Sequence, residues 1–430
     1  MGEVEIVKEK NIKLWNKNFF LLWQGQLVSV LGDVLYAIAL EFWIFDVTKS
    51  TALMGTLAAL TMLPRVILGP FAGVFVDRWD RKKIIVLTDF IRGIFVTFVG
   101  VAALLEFIEV WMVFIVGITN GLCSAFFNPA VLSVKPDIVH KSKIVKANSV
   151  TSIAQSGMDM LGNAIGGILY VTIGAPYMFL FNGISYIFSA FTEMFMKIPR
   201  IERKNVDATF KEDFKEGFKF IWSFKAFRNV FIFACGINLF FQGALILLVP
   251  YFKQTSFLGP KRYGFAMTIL AIGMMSGSIL LSILNLNKDI KYKLYRISIV
   301  LCTLGFSTTS LIRNYNIILI VLFLSAFLNV IFNTIFNSAT MMIIPKDIRG
   351  KVNGINNALC MGLMPLGSLI GGVLGEIISI KMAILILFSL SFIMSVGCIC
   401  VKGMKNVIEF EGEGKDIDEL INSTNALYNK

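Results

Sequence analysis

Ionisable chemistry is scarce in this chain. Its single histidine, His140, stands in a basic stretch, so histidine-based metal binding or acid–base catalysis has almost nothing to build on. The six cysteines (Cys123, Cys235, Cys302, Cys360, Cys398 and Cys400) all fall inside apolar segments without metal-ligand spacing. That excludes a zinc site and a disulfide framework, and they read as small buried hydrophobes. No Gly-x-x-x-x-Gly-Lys-Ser/Thr loop is present to cradle nucleotide phosphates, so direct ATP drive has no visible apparatus. Clustered nucleophiles, bases or metal ligands at one depth are missing as well, and neither an enzyme, a cofactor nor a metal is expected. Charged residues make up 16% of the chain against 56% hydrophobic ones. Such a balance points to a membrane protein. The first apolar run follows Lys8, Lys10, Lys13 and Lys17 and is too long for a signal-peptide core, so no cleavable leader is expected.

What is there in quantity is apolar length. A helix needs about 20 apolar residues to cross the hydrocarbon core. Such runs occur at 19–46, 52–76, 83–106, 110–134, 146–172, 176–197, 228–253, 262–286, 294–312, 316–343, 352–377 and 381–402, which predicts twelve spans. With the N-terminus placed inside, the inner segments hold 32 of the 40 basic residues. Outer loops hold only Lys49, Lys253, Lys261, Arg262, Arg313 and Lys381, while Arg65 and Arg92 fall within spans. Positive-inside placement therefore puts both termini in the cytoplasm. The net charge of +12 is explained by this asymmetry, and no nucleic-acid partner is needed.

The longest inner segment divides the chain into a six-helix bundle at 1–197, a cytoplasmic linker at 198–227 and a second bundle at 228–402. Within the linker, "TFKEDFKEGFKFIW" sets Phe210, Phe214, Phe218 and Ile221 on one helical face, with Thr209 and Glu212 spaced as a capping box. An amphipathic helix on the inner membrane surface is expected. The tail at 403–430 is acidic and polar, and its composition predicts disorder.

The two halves repeat each other. At a shift of 205, Lys146, Asn148, Gly157, Leu161, Gly162, Ile165, Gly166, Gly167 and Leu169 meet identical residues, from Lys351 to Leu374. At a shift of 209, Asn120, Phe127, Asn128 and Ala130 meet Asn329, Phe336, Asn337 and Ala339. An even number of spans per half makes this a parallel repeat about an axis along the membrane normal. The expected fold is all-α integral membrane, with twelve transmembrane helices in two six-helix bundles related by a parallel pseudo-two-fold.

On these features the chain resembles the major facilitator superfamily over nearly its whole length. The loop between spans two and three, "GVFVDRWDRKK", matches that family's Gly-x-x-x-Asp-Arg-x-x-Arg-Lys pattern at Gly73, Asp77, Arg78, Arg81 and Lys82. "FFLLWQGQLVSVLGD", "LP…GPFAGVFVDRWDRKK" and "GLCSAFFNPAVLSV" narrow the likeness to the macrolide-efflux-like branch of drug exporters. The resemblance implies a central cavity and export of a small amphipathic molecule in exchange for protons or another coupling ion. It also implies a monomer in the bacterial cell membrane, with the lipid bilayer as its surroundings. A siderophore exporter or a lysolipid transporter is the alternative within the class, and a membrane-embedded sensor without transport the alternative outside it. The antiporter pattern of span five is matched by Gly162, Gly166 and Gly167, with Asn163 where the family has proline, and echoed by Gly367, Gly371 and Gly372. Span four holds no cation, and Asn120 stands where the family places an arginine.

Charges within spans are costly and so mark function. Asp33 and Arg65 lie at similar depth, and two readings follow: a static ion pair, or an unpaired Asp33 that binds a proton or substrate. The repeat sets Gln242 opposite Asp33. Glu41, further out on span one, and Asp159, central in span five, are candidates to face the cavity and attract a cationic substrate. Asp89 and Arg92, at helical spacing, are expected to brace the loop, and Glu193 to reach the lipid headgroups. The repeat also sets Asn285 opposite Asp77 and keeps the basic residues Lys288, Lys291 and Lys293, but not the acid at that position or its adjacent arginine. Asp77 and Arg78 are therefore expected to form a latch in the inward–outward switch.

Overall fold

The computed structural model describes residues 14–198, 210–284, 286–345, 348–410 and 415–428. Six long helices come first: α1 (Lys17–Thr48), α2 (Thr51–Arg78), α3 (Arg81–Leu104), α4 (Val110–Ile138), α5 (Ile144–Thr172) and α6 (Gly174–Glu193). A short helix, α7 (Phe210–Ser223), precedes the second set. That set comprises α8 (Lys225–Leu245), α9 (Leu248–Gln254), α10 (Pro260–Ile283), α11 (Lys288–Thr308), α12 (Tyr315–Ile343), α13 (Arg349–Gly362), α14 (Met364–Ile377) and α15 (Ile380–Cys400). The chain closes with α16 (Met404–Glu409) and α17 (Lys415–Ala426). No strand occurs among the described residues.

Ten stretches are long and apolar enough to cross a membrane, two of them helix pairs, α8–α9 and α13–α14. The remaining two crossings are α5 and α6, which carry more polar residues. Even α6, at 20 residues, rises about 30 Å. The pairs are broken for a reason. Pro250 and Pro365 cannot donate an amide to the carbonyl four residues back, so each long helix interrupts just before its proline. Elsewhere short polar residues end the turns cleanly. The Asn16 side chain accepts the Phe19 amide at 3.0 Å, Ser50 accepts the Leu53 amide at 3.1 Å, and Asp80 accepts the amides of Lys82 and Lys83.

Twelve crossings leave the chain's two ends on one face, called here the terminal face; the opposite is the far face. Helix α1 packs on α5 and α6, and α3 on α4 and α6, to form one bundle. In the other, α8 packs on α14 and α15, α10 on α12, and α11 on α12 and α15. Helix α7 packs on the second bundle. Gly217 and buried Ile221 pack against α13, Glu216 pairs with Lys351 at 2.6 Å, and Phe214, Phe218 and Trp222 stack on the open side. The expected cap at Thr209 lies outside the described residues. Where the composition predicts disorder, the described part of the tail forms α16 and α17, and α17 docks where α7 meets α8. Asn425 donates to the Ser223 carbonyl and accepts the Lys225 amide, both at 2.9 Å. Ile417, Leu420 and Thr424 are buried there, an apolar spacing hidden within an acidic composition.

Candidate functional site

The bundles meet along two seams, α2 with α13–α14 and α5 with α10. Glycines set the contact. Gly167 lies against the Pro260 carbonyl, Gly264 against the Asn163 carbonyl, and Gly372 against the Thr51 carbonyl and Gly55. A Cβ at Gly264 would stand 2.7 Å from backbone oxygen, so any side chain there would push the bundles apart. The other motif glycines serve their own bundles: Gly162 and Gly166 seat Val34 and Ile38 of α1, while Gly367 and Gly371 seat Leu239 and Gly243 of α8. Each triplet thus has two glycines turned inward and one turned to the other bundle. Asn163, where the family has proline, keeps the backbone amide that a proline ring would remove, and its side chain also donates to the Asp159 carbonyl at 2.8 Å.

All of these inter-bundle contacts lie toward the far face. Gly73 stands 18 residues from Gly55, five turns along the same face of α2 and about 27 Å nearer the terminal face. Gly55 is pressed against Ser368 and Gly372; Gly73 has nothing within 4 Å of its Cβ position. One end of the seam is closed and the other is open.

Polar links fasten the closed end. Lys253 of α9 is paired with Asp46 of α1, which also accepts the Tyr170 hydroxyl at 2.6 Å. Glu376, at the end of α14, caps the first turn of α2, accepting from Ser50 Oγ at 2.9 Å and the Ala52 amide at 3.2 Å. Free amides and the positive helix end favour a carboxylate there. None of these residues stands out in sequence, because each reads as an ordinary loop-end charge until the bundles are brought together.

Helix α1 presents Asp33, Ala37 and Glu41 on one face at four-residue spacing, Ala37 exposed and both acids half-buried. Asp33 is not paired with Arg65. It accepts hydrogen bonds from Tyr186 and from Asn182 (3.4 Å) on α6, while Arg65 is exposed and forms no ion pair among the described residues. The static-pair reading assumed that equal depth meant contact, but α6 stands closer to that face of α1. Glu41 makes no hydrogen bond among the described residues and lies near Tyr263 of α10. Asp159 is exposed on α5, and Gln242 donates to Ser368 at 3.3 Å.

Asp89 and Arg92 pair with each other at 2.9 Å, and both are buried. The guanidinium lies 4.5 Å over the Phe127 ring of α4 and 4.8 Å over the Tyr186 ring of α6. Their partners are thus helices α4 and α6, and the bracing role expected toward the loop gives way to one inside the bundle. Glu193 is 0% exposed, so its carboxylate does not reach the headgroups. Instead it completes a buried stripe on α6 (Asn182, Tyr186, Ser189 and Glu193) at spacings of four, three and four. That helical spacing of polar residues was readable in the sequence and is the signal that would have found the site.

In the loop, Arg81 pairs with Asp137 at the end of α4 at 2.6 Å, both side chains largely buried. Arg78 ends α2 exposed, Lys82 is half-buried behind the Asp80 cap, and Trp79 stacks on Phe126. The Asp77 side chain and Asn285 lie outside the described features.

Two like bundles, twelve crossings and a seam closed at one end define a transporter of the major facilitator type. Residues 12–411 match the family model of transmembrane secretion effectors, and the chain belongs to that family. It is similar to macrolide efflux protein A of Streptococcus pyogenes, with 25% identity over 272 residues that cover 63% of this chain and 67% of that protein. It is also similar to the MFS-type transporter YfiS of Bacillus subtilis (strain 168), at 26% over 412 residues, 92% of this chain and 95% of that one. In fold it matches the nucleoside transporter NupG with a TM-score of 0.71 at 13% identity, covering 90% of this chain and 99% of that structure.

Proposed function

We propose that the protein exports small amphipathic cations, macrolides among them, from the cytoplasm by alternating access in exchange for protons. The observation that carries the reading is the α2 seam, packed at Gly55 and open at Gly73. The basic residues assign the terminal face to the cytoplasm, so the open end is the loading side and both termini are cytoplasmic. Release then requires the far end to part: Asp46 must leave Lys253, Glu376 must leave the start of α2, and the glycine contacts must separate. Contacts of this kind are made or broken as a set, since packed interfaces are bistable. At the terminal end, Asp77 and Arg78 are the residues we assign to the opposing latch.

The charge on the loading face suits a cation. Asp33 and Glu41 share one face of α1, Asp159 is exposed on α5, and the compensating Arg65 stands apart. Binding a cation at Asp33 while a proton leaves, or the reverse, links the two gradients, because each ligand changes the other's affinity by the same factor. Likeness to a macrolide efflux protein supports macrolides as the substrate class. Cells expressing the chain, challenged with macrolides, lincosamides, cationic dyes and siderophores, test this directly. Protection confined to macrolides and cationic dyes is expected. Protection against siderophore overload alone would replace the substrate class, and none at all in correctly inserted protein would reject export of these compounds.

A further inference from the structure

The seam where α6 meets α1 and α3 holds more acid than it can neutralise. Three carboxyls, Asp33, Asp89 and Glu193, surround one guanidinium, Arg92. Glu193 and Asp89 are 0% and 1% exposed, and Arg92 is 4% exposed. The Glu193 oxygens and the Ser189 hydroxyl are buried without a hydrogen-bond partner of normal geometry. Ser189 stands near both sealed carboxyls. Close helix contact shuts water out: Gly25 of α1 sits so near Ser189 that a Cβ there would fall 2.7 Å from its oxygen.

With every group ionised the seam would carry two uncompensated negative charges in a dry interior. An isolated buried carboxylate of this kind costs several kcal/mol, and the group takes up a neutralising ligand instead. A proton neutralises a buried carboxylate without any further ligand, and it is the ligand assigned to this seam. We propose that Glu193 and Asp89 share a bound proton in this seam, and that Asp33, the half-buried member tied to it through Tyr186, exchanges that proton with the cavity. The other titratable groups facing the cluster are Tyr36 on α1, Cys123 on α4 and Asp159 on α5. Helix α6 adds only Tyr186. Asn182, Tyr186, Ser189 and Glu193 make one buried stripe that runs from the depth of Asp33 toward the terminal end of α6. This rests on and deepens the proton-exchange reading, giving the proton a buried store beside Asp33, where cation and proton are bound in turn.

Infrared spectroscopy of the purified full chain tests it without any transport assay, so a wrong substrate class and a wrong proton site fail separately. At neutral pH the wild type is expected to show a carboxylic-acid C=O band that shifts in D2O. Glu193→Gln removes one component of that band, Asp89→Asn alters the same component, and Glu41→Gln, an acid outside the cluster, leaves it in place. Absence of a protonated carboxyl, or a band unchanged by both cluster variants, overturns the proposal. So does a component abolished by replacing K+ with Na+ at constant pH, which would make a metal cation the ligand. If either variant fails to fold, thermal unfolding of the wild type decides. A proton held only in the folded state makes stability fall as pH rises through neutrality, and a rise would overturn the site.

Discussion

The α1–α3–α6 seam of the first bundle and the α8–α11–α15 seam of the second are built alike and filled differently. At a shift of 206, Ser185 and Ser189 of α6 meet Ser391 and Ser395 of α15, and all four are buried. Around these shared serines the first bundle has Asn182, Tyr186 and Glu193, where the second has Phe388, Phe392 and Ile399. Phe388 packs against Phe241 and Phe306, and Ser395 shares a 2.8 Å hydrogen bond with Thr303. Opposite Asp33 in the repeat stands neutral Gln242. The fold therefore closes this seam well with aromatics and one hydroxyl pair. Three acids and an arginine in the other copy are not needed for packing, which is the reason to assign them work.

The contrast can be broken most severely from the charged side. Arg92→Ala leaves Asp89, Glu193 and Asp33 without their cation. We expect a loss of about 3–5 kcal/mol in unfolding of the detergent-solubilised protein, with part of it returned by adding Asp89→Asn. The mirror experiment plants the acid where the repeat lacks it. Ile399→Glu sets a carboxyl at the half-buried position that the repeat matches to Glu193, and a cost of about 1–3 kcal/mol is expected in the same assay. If both changes cost the same as conservative surface substitutions, the two seams are electrostatically equivalent and the contrast is empty.

Smaller effects sharpen the comparison between the closed and open ends. Asp46→Asn removes the partner of Lys253 at a half-exposed site. We expect the far end to open more often, by about fivefold or about 1 kcal/mol, read as a longer distance between spin labels on the loops at 49–50 and 255–259. The smallest effect belongs to Arg65. Exposed and unpaired among the described residues, it should cost under about 0.5 kcal/mol when changed to alanine. Combined with Asp33→Asn, that change should simply add, with no rescue in either direction. Measurable coupling would restore the ion pair that the geometry rules out.

Much of the fold was written in the sequence because membrane spans are a one-dimensional property. Apolar length located all twelve crossings to within a few residues, apart from the α11 start, where Lys288, Lys291 and Lys293 extend the helix past its apolar run. The glycine triplets were visible as a repeat, though not which glycine would face which bundle. Side-chain partners were the hard part. Depth along a helix is readable, but the direction each helix turns is set by packing, so a pair with Arg65 stayed open as one of two readings of Asp33, whose partners stand on α6. Glu193 was placed by its nearness to the interface, whereas burial depends on the neighbouring α1 and α3. Asp137, the partner of Arg81, and the far-end group of Asp46, Lys253 and Glu376 join segments separated by 56 or more positions, and no local pattern records such meetings.

The central claim is that the charged seam of the first bundle couples substrate movement to protons. It is tested most directly in everted membrane vesicles with an acidic interior and a pH-sensitive dye. Adding a macrolide to wild-type vesicles should release protons, and the same addition to Glu193→Gln vesicles, with equal protein inserted, should release none. Macrolide accumulation that continues in the wild type with no proton movement, or proton release undiminished in the variant, would contradict the account.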